Sequence, residues 1–288
     1  MLDVPQNHRL AHWLQWQAAH WPRPLVTLGA LEDGWQTVDA LTREEPALDR
    51  LLVAQAMGRS GIDRRTLAAY LIARHSYCVA FAFGPAYLHG GILADVSDRS
   101  MAIRLTPDSF EADGRRIEYT AVSLRFLKSG VLSDDPVLES RDGVMQVDDR
   151  AALRRMACQR LEAHFSPLID AIGEMTGLPA AAQWRLVSDS VAAVFLDIGQ
   201  RADAVDAACT EATAILKQPG SPLANPQMHF FDLDVPGSPG NASVKRRYRS
   251  RGGCCRYYKT DGGSLCATCV LQKPEARDEL LRAQAASS

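Results

Sequence analysis

Apolar residues recur at intervals of three and four along most of the chain, which predicts a largely helical body. Between residues 8 and 21, Trp13, Trp16 and Trp21 are interleaved with His8, His12 and His20, and this predicts a short amphipathic helix laid over a core. Pro46 opens a second helix whose buried face carries Leu48, Leu51, Leu52 and Met57, ending at Gly58 and Gly61. A third starts near Asp63, with Leu67, Tyr70 and Leu71 at helical spacing. The twenty residues from His75 to Ala94 carry no formal charge. That length invites a membrane span, but Gly84-Pro85 and Gly90-Gly91 interrupt it. A helix end, a turn and a buried strand are predicted instead, with Gly84 to Gly91 as a core-side turn or a pocket wall.

The period changes between residues 100 and 147. Met101 to Leu105 and Arg116 to Val122 read as strands, with turn signals at Pro107-Asp108 and Asp113-Gly114, and Gly143 to Val147 reads as another. A small antiparallel sheet follows. Asp148-Asp149 then caps a long helix with an apolar stripe through Leu153, Met156, Ala157, Leu161, His164, Phe165 and Leu168, kinked or ended by Pro167. After Gly177-Leu-Pro179 the stripe resumes with Trp184, Val187, Val191, Phe195 and Ile198. It continues past a possible break at Gly199 through Ala202, Val205, Ala208, Ala212 and Ile215. Five prolines between 219 and 240 form a connector, and Pro274 starts a last helix to about Ala285. The fold class is α+β: residues 1–218 form a mostly helical body with a small antiparallel sheet, and residues 219–288 form a connector and a C-terminal cysteine-rich module.

At 288 residues, 47% hydrophobic and 23% charged, the chain has ample material for a core. Its net charge of −2 does not argue for nucleic acid, but the charge is unevenly placed. Residues 243–259 hold seven basic side chains and no acid, which leaves −9 on the remainder. The first residues show neither a basic nor an apolar leader segment, so reduced cysteines in the cytoplasm are expected. The N-terminal aromatics leave a peripheral membrane contact open, which would place the protein at the cytoplasmic face of the inner membrane.

Four of the seven cysteines lie within sixteen residues: Cys254, Cys255, Cys266 and Cys269. Such a group can form disulfides, hold a structural zinc or hold an iron–sulfur cluster, since soft thiolates suit both metals. Cys266 and Cys269 make a C-x-x-C loop. The adjacent Cys254-Cys255 pair is unusual for zinc, whose thiols come as two spaced pairs, and two irons offer adjacent thiolates more ways to bind. Neighbouring side chains of a strand point apart, so the backbone must bend there. Gly252-Gly253 before the pair and Gly262-Gly263 before Cys266 can supply positive φ. Cys78, Cys158 and Cys209 read as inert core residues.

The C-C-x10-C-x2-C pattern, with Lys245-Arg246-Arg247 and Cys-Cys-Arg-Tyr-Tyr around it, resembles the FhuF family of ferric-siderophore reductases. The resemblance implies a [2Fe-2S] cluster on Cys254, Cys255, Cys266 and Cys269. It implies one-electron reduction of siderophore-bound Fe(III), with release of Fe(II). The chain shows no P-loop, no G-x-G-x-x-G after a strand, no H-E-x-x-H and no G-x-S-x-G, so electrons are expected from a separate protein or small reductant. Arg247, Arg249 and Arg256 are the candidates for offsetting cluster charge or attracting an anionic siderophore. The alternative from another class is a zinc-stapled module whose basic, tyrosine-rich surface contacts nucleic acid.

Overall fold

The repeating threes and fours become a helical core threaded by two 27-residue helices. The structure is a computed structural model, and it describes residues 9–21, 24–56, 61–112, 115–138, 143–237 and 243–287. His8, Met57, Gly58 and the Asp113-Gly114 turn lie outside the described residues. In chain order the elements are α1 (Arg9–His20), β1 (Leu25–Leu28), β2 (Gln36–Thr37), α2 (Val38–Arg43), α3 (Glu45–Val53), α4 (Arg64–Gly90), β3 (Ile92–Ala94), β4 (Met101–Ala112), β5 (Arg115–Phe126), β6 (Val131–Ser133) and β7 (Val144–Gln146). They are followed by α5 (Arg150–Thr176), α6 (Ala180–Arg201), α7 (Val205–Leu216), β8 (His229–Val235), β9 (Val244–Ser250) and α8 (Pro274–Ala286). The α+β class holds.

The uncharged stretch differs from its prediction. Helix α4 runs straight through Gly84-Pro85 to Gly90 and stops at Gly91, whose φ of 62° ends it in the left-handed conformation. A proline inside a helix costs about 3 kcal/mol, and tertiary packing offsets it: Gly84, Pro85, Ala86 and Tyr87 are all buried. A Cβ on Gly84 would stand 2.9 Å from Ile198 Cδ1, so this glycine sets how closely α6 packs on α4. Helix α4 is long and apolar enough to cross a membrane, but 78% of its apolar window is buried inside the protein. Pro167 likewise sits inside α5 without ending it, and Gly177 ends it at φ 69°. The three tryptophans near α1 turn toward the body: Trp21 is buried, and Trp13 and Trp16 pack against the core.

The long helices also share polar locks. His75 of α4 and His164 of α5 meet through their Nε2 atoms at 2.7 Å, and His164 Nδ1 donates to the Val96 carbonyl at 2.6 Å. Tyr87 donates to Glu211 Oε2 at 2.9 Å, and Arg150 and Arg154 bind the same carboxylate, which joins α4, α5 and α7.

The sheets are mixed rather than purely antiparallel. One has the order β1-β5-β4-β2, with β1 and β5 parallel, and a second has the order β3-β6-β7, with β6 and β7 parallel. Strands β4 and β5 form a twelve-residue hairpin, so Pro107 lies inside a strand opposite Thr120 rather than in a turn. Strand β2 covers β4 only at Ala102 and Ile103. Among the described residues no further strand is paired along that edge of β4, where a residue without an N–H is tolerated.

The Pro-rich connector is packed down. Leu223 and Met228 belong to the main core, and Asn225 is 3% exposed. Strands β8 and β9 pair antiparallel with Asp232 opposite Arg247 and Asp234 opposite Lys245. Helix α8 closes over them, and Leu233, Val235 and Leu281 form a second, small core with Phe231, Tyr248, Ala267 and Ala285 around it.

Candidate metal centre

The cysteine segment leaves the end of β9 and is seized at once by α6. Asp189, 1% exposed in the middle of that helix, accepts from Gly252 N and Gly253 N, each at 2.9 Å. Arg251 Nε lies 3.5 Å from its Oδ2, and Arg249 Nη1 lies 4.0 Å from Oδ1 while donating to the Asp189 backbone carbonyl. The two glycines are there for close approach. A Cβ on Gly253 would stand 3.0 Å from Leu186 N, and one on Gly252 would collide with the Asn225 side chain. Neither glycine has the positive φ that the sequence suggested.

The bend comes one residue after the vicinal cysteines. Arg256 takes the left-handed conformation, φ 62°, which is rare for a residue with a side chain. Its N–H donates to Cys254 Sγ at 3.4 Å. Its guanidinium holds the unusual turn in place by donating to Asp63 Oδ2 at 2.9 Å and Thr66 Oγ1 at 3.0 Å, at the start of α4. The chain then turns through Gly262, φ 70°, and Gly263. Cys269 N donates to Cys266 O at 2.9 Å to close the C-x-x-C turn, and Gln272 Nε2 braces the same carbonyl at 2.6 Å.

Gly263 is the tightest point of this turn. A Cβ there would run into the Tyr257 carbonyl and stand 2.8 Å from Thr260 Oγ1, whereas Gly262 has open space around it. Gly263→Ala is therefore expected to cost about 2–3 kcal/mol in urea unfolding, by overpacking against backbone. Gly262→Ala should cost about 1 kcal/mol, the strain of a left-handed alanine. An equal or smaller loss at 263 would show that the turn relaxes.

Cys254, Cys255 and Cys266 are partly exposed and Cys269 is buried. The Cys255 and Cys266 thiols are hydrogen-bonded to one another. That bond pulls the Cys255 thiol well below its ordinary range, with Arg251 adding to it against the opposing effect of burial, and the same bond pushes Cys266 up. Arg251 Nη1 donates to Cys266 Sγ at 3.5 Å. Burial works against the Arg251 charge, but Asp189 and the two sulfurs outweigh it and hold the pKa above the ordinary arginine value. Burial brings Arg249 down to about 10, still protonated at neutral pH. Among the described residues no three Cys, His, Asp or Glu side chains gather as a metal site; the thiols come together as a pair.

The three arginines expected at the site divide. Arg249 lies under the loop on Asp189. Arg256 holds the loop to α4. Arg247 is occupied elsewhere, bonded to Asp232 and, at 3.0 Å, to Asp206. Arg251, which the sequence did not single out, is the one whose guanidinium touches sulfur. These four arginines are bound to acids of the same chain, and the exposed members of the basic run are Lys245, Arg246 and Lys259. Cys78, Cys158 and Cys209 lie apart in the core, and burial raises each thiol to about 11.

Residues 115–236 match the family model described as ferric iron reductase FhuF-like transporter, and residues 251–271 match the FhuF 2Fe-2S C-terminal domain. The second match spans all four clustered cysteines. Both matched stretches are those of the FhuF family. The reaction of this FhuF-like chain is accordingly the reduction of ferric iron, and its cofactor is a [2Fe-2S] cluster. No curated protein and no solved structure matches it. The first match covers α5, α6 and α7 and includes Asp189; the second includes Arg251 and Arg256. Arg247 and Arg249 fall between the two matches.

The donor set suits the cofactor. All four groups are sulfur, two already meet as a pair, and a fixed cation stands against that pair. A single zinc would require all four sulfurs around one point, whereas two irons divide them.

Proposed function

We propose that this FhuF-like protein reduces Fe(III) held in a siderophore, with Cys254, Cys255, Cys266 and Cys269 as the ligands of its cluster. The observation that carries the reading is the Arg251 guanidinium bonded to Cys266 at the centre of a cysteine loop clamped onto α6. When bound, a [2Fe-2S] cluster supplies reversible one-electron transfer, its potential set by charge, hydrogen bonds and exposure. The chain's part is to hold, shield and bias. Arg251 places a positive charge against sulfur, Asp189 fixes that charge, and Cys269 is withdrawn from water. Iron leaves because siderophores bind Fe(II) far less tightly than Fe(III).

We assign the substrate to a groove of about 510 Å³ between α4 and the β4–β5 hairpin, lined by Leu25, Arg74, Tyr77, Asp108, Tyr119 and Val122. Its mix of apolar wall and a few polar groups suits a small ligand. Arg74 of the groove follows Ala73, whose carbonyl accepts from Ser190 Oγ at 2.9 Å, and Ser190 follows Asp189 in α6. Electrons come from a separate donor. Residues 219–288 form the cluster module, and a reducing compartment, the cytoplasm or the cytoplasmic face of the inner membrane, suits seven unbridged cysteines.

The test is to reduce the protein with dithionite and mix it with a ferric trihydroxamate or a ferric tricatecholate. Reoxidation of the visible spectrum should accompany Fe(II) capture by a chromogenic chelator. Tyr77→Ala should raise KM several-fold and leave the resting spectrum unchanged. Reoxidation by free ferric citrate alone, with neither siderophore complex reacting, would refute the substrate class.

A further inference from the structure

Among the described residues Asp189 is the only aspartate, glutamate, lysine or arginine that is fully buried. It stands in an apolar helix beside Val187 and Val191, themselves at 0% exposure. Burying a carboxylate costs several kcal/mol even when it is paired, and a well-packed apolar residue would serve stability as well or better. The bonding of Asp189 indicates another use. Its carboxylate partners, Gly252 N, Gly253 N, Arg251 and Arg249, all come from the five residues just before Cys254. Asn225, 3% exposed, presses on Gly252, and its Nδ2 is buried without a partner. The neck of the cysteine loop is therefore held between two buried polar side chains.

The charges add a second consequence. One buried carboxylate faces two guanidiniums, so the neck carries a net positive charge, and Arg251 brings it to Cys266. An all-thiolate two-iron cluster is anionic and becomes more so on reduction, so a cation fixed beside it favours the reduced state.

We propose that Asp189 is the positioning residue of this centre. It pre-forms the Gly252–Gly253 neck before any group binds and holds Arg251 against the sulfurs, thereby raising the reduction potential. The second half rests on the reading that the four cysteines hold the cluster; the first half does not. A carboxylate acting only through its own charge would have the opposite sign, because a negative group opposes reduction.

Two measurements on the full-length protein separate these possibilities. In protein stripped by chelator, amide hydrogen exchange of the peptide containing Gly252 and Gly253 should be at least tenfold faster in Asp189→Asn than in wild type. In loaded protein, potentiometric titration followed by EPR should show Arg251→Gln shifted downward by at least a tenfold change in the redox equilibrium, about 59 mV for one electron. Asp189→Asn should also shift downward, because the released guanidinium moves away, and the double variant should lie no lower than Arg251→Gln alone. An upward or absent shift in Asp189→Asn, with a two-iron signal in wild type, overturns the potential-setting role and leaves the cluster assignment standing. Absence of that signal from wild type overturns the cluster assignment and with it the potential-setting role. Unchanged exchange in the stripped variant overturns the pre-formed neck in either case.

Discussion

Replacing any one of Cys254, Cys255, Cys266 or Cys269 by serine is expected to strip iron from the protein, with retention against a competing chelator falling more than about tenfold. A serine oxygen is a harder ligand than a thiolate and stays protonated near neutral pH, where a cysteine beside a cation ionises. Arg251 is that cation for Cys255, the thiol held below its ordinary range. The control lies within the same chain. Cys78→Ala, Cys158→Ala and Cys209→Ala remove thiols that burial keeps protonated, so iron content and the EPR signal should be unchanged. Iron counted on each purified variant decides the matter. Full retention after serine replacement at any two of the four would exclude them as the ligand set.

Acid should unfold this protein before its carboxylates alone would require. His75 and His164 are each held below the ordinary histidine range, first by burial, and His164 is pulled down to about 4. The geometry agrees. His164 donates to Val96 through Nδ1, so its Nε2 must accept from His75, and a second proton there would set donor against donor. The unfolded chain takes up protons near pH 6.5 while the folded chain does not, so stability is full above that value and is lost as pH falls toward 4. For His164 alone the loss is about 1 kcal/mol by pH 5.5 and roughly 3 kcal/mol by pH 4. Urea unfolding of apo protein between pH 8 and 5 measures it. His75→Gln/His164→Gln should flatten the slope between pH 6.5 and 5, even if the variant is weaker at pH 7. A wild-type profile already flat over that range would mean that the pair accepts a proton in the folded state.

The candidate metal centre stands out in the sequence because its cysteines sit within sixteen residues and their spacing carries the information locally. Its support does not. Asp189 is a lone acid in the run Leu186-Val187-Ser188-Asp189-Ser190-Val191, and its partners lie 60 to 64 residues further on. A carboxylate among apolar neighbours was a signal, but nothing nearby said what it would meet. The arginines could be counted but not assigned. Arg247 faces Asp232 because of the register of β8 and β9, and the alternation Asp232, Asp234 against Lys245, Arg247 becomes meaningful only once that hairpin is recognised. At Gly84-Pro85 local propensity pointed to a break, and the packing of α4 against α6 overrode it. The glycines before Cys254 were correctly marked as special for the wrong reason: they make room for Asn225 and α6 rather than supplying a reversed φ.

The Arg256 anchor also bears on the order in which the molecule is made. Its bond to Thr66 spans 190 positions of sequence and its bond to Asp63 spans 193, among the longest-range side-chain contacts described. Closing so long a loop brings its reward only after the intervening chain has condensed. During synthesis the N-terminal regions fold first. By the time Cys254 leaves the ribosome, α4 and α6 are available as a finished dock. Cofactor insertion then becomes the last act of maturation, performed on a body already built, and the cysteines spend little time exposed on an unfolded chain.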